Sequence, residues 1–181
     1  KNNERLSFAF HIFIDQIVDD DFERLSQLTK QYKSCVYIYI VNDAALKKFP
    51  ITKNWSTAMY YRFIIGDYFA DKTERVIYLD ADIVCKGSIA ELVNINIEDN
   101  IAGVVPERAQ EWWNERAQKL DCPSLSSGYF NSGFMLINVS EWMRANVTRR
   151  ALALLADETV CSKLTYMDQD ILNILLAGRV R

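Results

Sequence analysis

The chain has 181 residues, of which 50% are hydrophobic and 12% aromatic, and this is enough apolar material for one substantial core in a single globular domain. Its formal net charge of -3 and pI near 5.3 exclude nucleic acid as a partner, because that partner requires a basic surface. The four cysteines are widely spaced, which excludes a disulfide scaffold. No apolar run approaches the roughly 20 residues that a transmembrane helix needs, so we predict a soluble or peripheral cytoplasmic protein.

Apolar segments and helical patterns alternate along the chain. Segments rich in β-branched and aromatic residues predict strands at 7–14, 35–41, 75–79, 101–105 and 133–139. The helical patterns cover 21–32, 56–69, 107–119, 141–156 and 168–176. Several strands are apolar at consecutive positions, as from Val76 to Leu79, which is typical of a sheet covered by helices on both faces. We therefore predict an α/β fold with a Rossmann-like, mostly parallel sheet flanked by helices.

Two aspartates, Asp80 and Asp82, follow the strand predicted at 75–79. A spacing of two residues in extended chain puts both carboxylates on one side, and open α/β sheets bind ligands beyond the carboxyl ends of their strands. Two carboxylates in that position suit a hard divalent cation such as Mg²⁺ or Mn²⁺. The alternative is a solvated turn that happens to contain two acids, since D-x-D alone is a weak motif.

Phosphate binding would depend on side chains, because the sequence contains neither a Walker-type loop nor a G-x-G-x-x-G motif. Arg62 and Lys86 are the basic candidates nearest to the aspartates. The Arg62 fork of donors suits a pyrophosphate, but it would equally well neutralise Asp67 or another acid at the surface.

A short polar stretch, Asn131 and Ser132 followed by Gly133, precedes an apolar strand. The two polar side chains can offer hydrogen bonds to a sugar or a phosphate where glycine lets a ligand approach closely. Asn-Ser-Gly is also ordinary turn chemistry, and both interpretations remain open.

The helix predicted at 168–176 begins with Asp168, Gln169 and Asp170 and is apolar on nearly all faces. Asp168 suits the N-cap and Asp170 the first turn, so capping and the helix dipole explain both acids without a function. A helix that is apolar all round is buried, however, and acids at the start of a buried helix tend to face an interior cleft. Capping and catalysis are compatible here.

Taken together, these segments resemble glycosyltransferase family 8, especially its bacterial lipopolysaccharide core glucosyl- and galactosyltransferases. The similarity covers nearly the whole chain, and the strongest matches are three separate motifs in this order. The matching segments are FHIF at 10–13, NWSTAMYYR at 54–62, YLDADI at 78–83, GSIAEL at 87–92, ERAQEWW at 107–113, YFNSGF at 129–134 and DQDILN at 168–173.

The resemblance implies a GT-A fold, a UDP-hexose donor, Mn²⁺ or Mg²⁺, and transfer of glucose or galactose to a lipopolysaccharide core oligosaccharide with retention at the anomeric carbon. It also implies a cytoplasmic enzyme or one peripheral on the inner face of the inner membrane. Asp80 and Asp82 resemble the metal ligands, and Arg62 resembles the arginine that contacts the donor. Ala81 and Ser132 fall with them in donor-binding segments. Asn131, Asp168 and Gln169 resemble the residues that face the donor sugar.

The bond chemistry agrees with these residue types. Breaking the sugar–phosphate bond leaves negative charge on UDP while the sugar becomes oxocarbenium-like, so a cation at the pyrophosphate and oxygen atoms near the ring both stabilise the transition state. Gln169 is a poor nucleophile, and a front-face reaction assisted by the departing phosphate is as plausible as a covalent intermediate.

The family pattern extends further than this chain at both ends. Members begin with a strand and a helix that hold the uridine base, and they carry a later histidine that completes the metal site. The chain is therefore expected to be a core that lacks these segments, to hold metal weakly with two carboxylates, and to have little or no turnover alone.

Two other interpretations of the sequence remain. Asp80 and Asp82 also fit the first motif of a haloacid-dehalogenase-like phosphatase, with Asp80 as nucleophile. The domain can instead be a non-catalytic fragment that binds a nucleotide-sugar or a glycan.

Overall fold

The computed structural model describes residue 3 and residues 6–51 and 56–181. Asn54 and Trp55, which belong to one of the segments that resemble family 8, lie outside the described residues. The chain divides into two compact units, which are described separately: Lys1–Tyr61 with Val84–Glu91, and Arg62–Ile83 with Leu92–Arg181.

The first unit contains a pair of parallel strands joined by a helix. Strand β1 (Ala9–Ile14), helix α1 (Asp19–Tyr32) and strand β2 (Cys35–Ile40) follow one another, and β1 pairs with β2 from Ala9↔Cys35 to Ile14↔Ile40. Helix α1 ends where Lys33 adopts a left-handed conformation with φ 49°. The predicted strand–helix–strand order and the parallel direction of these strands are confirmed.

The remaining predicted helices and strands occur in the predicted order, with bounds that differ by a few residues, and two short helices, Ala90–Val93 and Glu158–Cys161, were not predicted. In chain order they are α2 (Tyr61–Phe69), β3 (Arg75–Leu79), α3 (Ala90–Val93), β4 (Ala102–Pro106), α4 (Gln110–Lys119), β5 (Phe130–Asn138), α5 (Val139–Arg144), α6 (Val147–Leu155), α7 (Glu158–Cys161) and α8 (Met167–Leu176).

Two predicted helices are interrupted in the structure. The segment predicted as 56–69 starts with a 3₁₀ turn, Thr57–Tyr60, before α2. The segment predicted as 141–156 is two helices, because Asn146 between α5 and α6 has φ 51°, a left-handed conformation that asparagine tolerates better than most residues.

The sheet of the second unit differs from the predicted mostly parallel arrangement. Its order is β3-β5-β4, and β5 runs antiparallel to both neighbours. An apolar strand covered on both faces has the same side-chain pattern in either direction, so the sequence pattern carries no information on strand direction. The chain end continues this sheet beside β4, where Val180 forms a parallel bridge with Ala102.

The core of the second unit lies where α5 and α8 pack against β5 and α6 packs against both helices. The largest fully buried side chains of this unit are Phe63, Ile97, Ile101, Leu125, Tyr129, Met135, Ile137, Trp142, Ile171, Leu172 and Leu176.

No described helix is long and apolar enough to cross a membrane.

Candidate active site

The predicted metal ligands lie at a turn that follows β3. The Ile83 N–H donates to the Asp80 carbonyl at 3.1 Å, so the chain turns directly after the strand. The expectation that Asp80 and Asp82 sit on one side of extended chain is therefore wrong in its geometry, because Ala81 and Asp82 form the turn. Asp80 is half-buried, whereas Ala81 and Asp82 are exposed.

Arg62 brings three of the predicted segments together. Its Nη2 lies 2.9 Å from Asp80 Oδ1, and its Nε lies 2.8 Å from Asp168 Oδ2. Its Nη1 donates to Ser132 Oγ at 2.6 Å and to the Ser132 carbonyl at 3.1 Å. The residue is 8% exposed, so this is a buried guanidinium and not a surface charge that neutralises Asp67.

Tyr78 is a member of this site that the sequence did not single out. Its hydroxyl donates to Asp80 Oδ1 at 2.5 Å, and its ring lies 5.0 Å from the Arg62 guanidinium. Burial raises the pKa of Tyr78, the hydrogen bond to Asp80 raises it further, and the positive charge of Arg62 acts in the opposite direction. The phenol therefore stays a neutral donor to Asp80.

Asn131 has both ends of its amide engaged. Its Nδ2 donates to Glu107 Oε2 at 2.8 Å, and its Oδ1 accepts the Gly133 N–H at 2.8 Å. A β-carbon on Gly133 would lie 2.9 Å from both Asn131 Oδ1 and Asp80 Oδ2, so only glycine leaves these two side chains undisturbed. Asn131 to Gly133 is part of β5, so the interpretation as an ordinary turn is wrong, and ligand binding by these residues stays a prediction.

The start of α8 carries Asp168 and Gln169 into the same site. Gln169 Oε1 accepts the Ser132 N–H at 3.0 Å. Asp168 is not the N-cap: Tyr166 holds that position, and Asp170 accepts the backbone N–H groups of Thr165 and Tyr166 at 2.7 and 2.8 Å. Asp168 lies in the first turn of α8, where its carboxylate pairs with Arg62.

Asp168 is a buried carboxylate with an altered titration. Burial raises its pKa from 3.8 to about 6, although the guanidinium of Arg62 beside it acts to lower the pKa. Near neutral pH the side chain is charged, and a modest fall in pH protonates it.

A second buried ion pair, between Arg116 and Asp170, lies at the start of α8. Arg116 Nη2 lies 2.5 Å from Asp170 Oδ1, which also accepts the Tyr129 hydroxyl at 2.6 Å. Asp170 is 0% exposed, and the Arg116 guanidinium lies 5.3 Å from the Tyr166 ring centroid. A buried carboxylate requires a partner of opposite charge or hydrogen-bond donors, but the sequence pattern does not indicate that Arg116 is the partner of Asp170.

The candidate metal ligands are few. Among residues 3, 6–51 and 56–181 there is no group of three or more histidine, cysteine, aspartate or glutamate side chains arranged to hold a metal ion. The carboxylate oxygens of Asp80 and Asp82 are the right donors for a hard cation, and further ligands would have to come from elsewhere, such as substrate phosphates.

Comparison with known proteins decides the family. The sequence profile described as Glycosyl transferase family 8 matches residues 1–181. The chain belongs to glycosyltransferase family 8. It is 48% identical over 180 residues to the lipopolysaccharide 1,3-galactosyltransferase of Salmonella typhimurium, covering 99% of this chain and 53% of that protein. It is 45% identical over 181 residues to the lipopolysaccharide glucosyltransferase WaaO of Escherichia coli K12, again covering 99% and 53%.

Solved structures agree with this family. A galactosyltransferase LgtC in complex with donor and acceptor sugar analogs has a TM-score of 0.83 and 26% identity, covering 97% of this chain and 62% of that one. An active-site mutant of LgtC has a TM-score of 0.86 and 25% identity, covering 99% and 63%. The α/β fold of the GT-A type is therefore confirmed.

Family membership also bears on the alternatives. The profile covers the Asp80 and Asp82 segment together with the rest of the chain, so the phosphatase interpretation has no support. The chain spans about half the length of the curated relatives it matches, at 53% of each of the two above. The activity of the whole protein is accordingly a matter for proposal.

Proposed function

We propose that the protein transfers glucose or galactose from a UDP-sugar to a lipopolysaccharide core oligosaccharide, with retention at the anomeric carbon. The observation that carries the proposal is the meeting of Asp80, Ser132 and Asp168 at one buried guanidinium, that of Arg62. These residues come from the three motifs of the family 8 resemblance. The names of the lipopolysaccharide galactosyl- and glucosyltransferase relatives support the choice of hexose and acceptor.

Donor binding is assigned to the polar groups around Arg62, with a divalent metal at Asp80 and Asp82. Mn²⁺ or Mg²⁺ fits the carboxylate oxygens, and the pair alone would leave most of the coordination to donor phosphates and water. When bound, the cation would stabilise the negative charge that develops on the departing nucleoside diphosphate. The proposed set of donor-binding residues is Arg62, Asp80, Ala81, Asp82, Asn131 and Ser132.

The residues that would face the sugar are Asn131, Asp168 and Gln169. The Asp168 carboxylate is charged near neutral pH and is held by Arg62, so it can stabilise positive charge on an oxocarbenium-like ring without moving. Gln169 is an amide whose Oε1 already accepts the Ser132 N–H, which makes it a poor nucleophile. These roles favour a front-face reaction in which the departing phosphate assists the acceptor hydroxyl.

Titration calorimetry with UDP-glucose and UDP-galactose tests donor binding, with and without Mn²⁺, on this chain and on the full-length natural protein. Binding is expected to require Mn²⁺ in the full-length protein and to be lost in Asp82→Asn. The matched control is Asp99→Asn, which changes an exposed aspartate of the same unit and should bind as the wild type does. Equal affinity without metal, or unchanged affinity in Asp82→Asn, would rule out the proposed metal site.

Transfer to the acceptor separates an enzyme from a binding domain. The full-length protein should release UDP from one of the two donors in the presence of core oligosaccharide, and the product should keep the anomeric configuration of the donor by NMR. Metal-dependent donor binding without any transfer would instead support the non-catalytic alternative.

The acceptor also suggests where the protein works. A lipid-linked oligosaccharide at the inner membrane would be reached by a cytoplasmic protein that is peripheral on the inner face. Sedimentation of the full-length protein with inner-membrane vesicles tests this, and failure to co-sediment with vesicles that carry the acceptor would contradict it.

A further inference from the structure

Strand β5 begins beyond the end of its neighbour β3. The last pair between these strands is Leu79↔Phe134, and the Asp80 N–H then donates to the Gly133 carbonyl at 2.8 Å. At Phe130 and Asn131 β5 pairs only with β4, on the opposite edge, and Ser132 falls where the β4 register shifts. Buried backbone groups on the edge that β3 has left still need partners.

Side chains of α8 supply those partners. Asn173 Oδ1 accepts the Phe130 N–H at 2.8 Å, and Asn173 Nδ2 donates to the Phe130 carbonyl at 2.9 Å. Two residues along β5, Gln169 Oε1 accepts the Ser132 N–H at 3.0 Å. Two amide side chains, one helical turn apart, therefore occupy the place of a strand beside β5.

A primary amide is the group that this position requires. Asn173 offers one acceptor and one donor to Phe130, as a backbone peptide does, and it is 1% exposed. Its Nδ2 also donates to the Gln169 carbonyl at 2.9 Å. A single buried side chain thus joins the start of β5 to the helix residue that binds Ser132.

We propose that Asn173 is a positioning residue that holds Asp168 and Gln169 in register with Asn131 and Ser132. This rests on the proposed function, in which those four residues bind the donor. Asn173 is not expected to touch the donor, because its polar atoms are committed to Phe130 and Gln169. It acts by fixing the start of α8 against β5, so that the carboxylate of Asp168 meets Arg62.

The test uses Asn173→Leu, which removes both hydrogen-bonding groups at similar size, and Asn173→Ser as a milder variant whose hydroxyl still offers one hydrogen-bonding group. Leu176→Ala is the control, since it perturbs the same helix in the core at its other end. Two readouts are measured: the amide hydrogen exchange of Phe130 and Ser132 by NMR on this chain, and kcat, KM and UDP affinity on the full-length protein.

The proposal predicts that both Asn173 variants speed exchange at Phe130 and also at Ser132, on the order of tenfold for each lost hydrogen bond. In the full-length protein kcat should fall by about a hundredfold, as expected for misplaced substrate contacts, while the affinity for UDP stays within about twofold. Leu176→Ala should lose stability and keep kcat.

Faster exchange confined to Phe130, with kcat unchanged, would overturn the proposal by making the Asn173 contact purely local. An equal fall of kcat in Leu176→Ala would overturn it too, because general loss of stability would then explain both results. If the wild-type protein turns over no UDP-hexose, the proposed function fails, and the exchange at Ser132 still decides whether Asn173 positions Gln169.

Discussion

Arg62 and Asp168 form a buried ion pair with 2.8 Å between Nε and Oδ2, and each side chain keeps only 9% of its surface exposed. The two residues lie on different helices, α2 and α8, so the pair joins elements that are distant in the chain. Nη2 of the same guanidinium reaches Asp80 at 2.9 Å. One planar group with a fixed fork of donors therefore sets the distance between the turn after β3 and the start of α8.

Removing the positive charge should be costly. Arg62→Met leaves Asp168 buried without its partner, and breaking a buried pair in this way destabilises proteins by about 3–5 kcal/mol. The free energy of unfolding is measured by urea denaturation followed by tryptophan fluorescence, to which the fully buried Trp142 of this unit contributes.

Arg149→Met is the matched control, because Arg149 is exposed and the same change there should shift stability by less than about 0.5 kcal/mol. The double variant Arg62→Met/Asp168→Asn should be less destabilised than the sum of the single changes, since it leaves no buried charge unpaired. Additive losses would contradict a direct pairing of the two residues.

Asp168 should make the stability depend on pH with a definite sign. Its pKa is raised from 3.8 to about 6 in the fold, so between these values the folded chain holds a proton that the unfolded chain has lost. Stability from this group is complete below the unfolded pKa and is lost as pH rises through the folded pKa. Relative to Asp168→Asn, the wild type should lose about 1.4 kcal/mol for each pH unit between roughly pH 4 and pH 6.

The measurement is a set of urea denaturation curves for wild type and Asp168→Asn at several pH values, compared as a difference so that all other groups cancel. A total change of about 3 kcal/mol is the upper limit, because it assumes full burial of the charge. A difference that is flat across this range, or that increases with pH, would show that burial does not control this carboxylate.

The sequence predicted most of the helices and strands, but it did not predict which side chains contact one another at the candidate site. Periodicity located the strand Arg75–Leu79 at its observed bounds, because a short apolar run before an aspartate is a strong local signal. Arg62, Ser132 and Asp168 were each singled out, and the structure brings them together. Their pairing depends on which helix packs where, and local patterns do not carry that information.

The errors have physical causes that are equally specific. Asp168 was assigned as the N-cap, but the N-cap is Tyr166, two residues earlier, and Asp168 lies in the first turn. The Asp170 carboxylate reaches back to the backbone N–H groups of Thr165 and Tyr166. Tyr78 was read only as an apolar strand residue, although its hydroxyl turns toward Asp80. A tyrosine packs its ring in the core and forms hydrogen bonds with its hydroxyl, so an apolar sequence pattern does not reveal the hydrogen bond.

Tyr129 and Asp170 should be energetically coupled. Tyr129→Phe removes the hydroxyl that donates to Asp170 Oδ1 at 2.6 Å, and a hydrogen bond to a charged group contributes about 1.5–3 kcal/mol. Asp170→Asn should cost more, because Arg116 then remains buried without a counter-charge.

A double-mutant cycle measured by urea denaturation checks this coupling. The double variant should lose less than the sum of the single losses by at least about 0.5 kcal/mol, as residues in direct contact do. Strict additivity would mean that the hydroxyl contributes nothing to holding Asp170.

Gly133→Ala should impair donor binding more than folding. The added methyl group would lie 2.9 Å from Asp80 Oδ2 and 2.9 Å from Asn131 Oδ1, so both side chains have to shift. Because 32% of the Asp80 side-chain surface is accessible, this carboxylate can rotate toward solvent. The overpacking should therefore lower the free energy of unfolding by only about 1–3 kcal/mol. The displaced carboxylate would no longer be placed for a metal, so Mn²⁺-dependent affinity for UDP-sugar should fall at least about tenfold in the full-length protein.

Gly128→Ala is the control, because a methyl group there meets nothing within 4 Å. Equal donor affinity in both variants, measured by calorimetry, would separate Asp80 from the metal site.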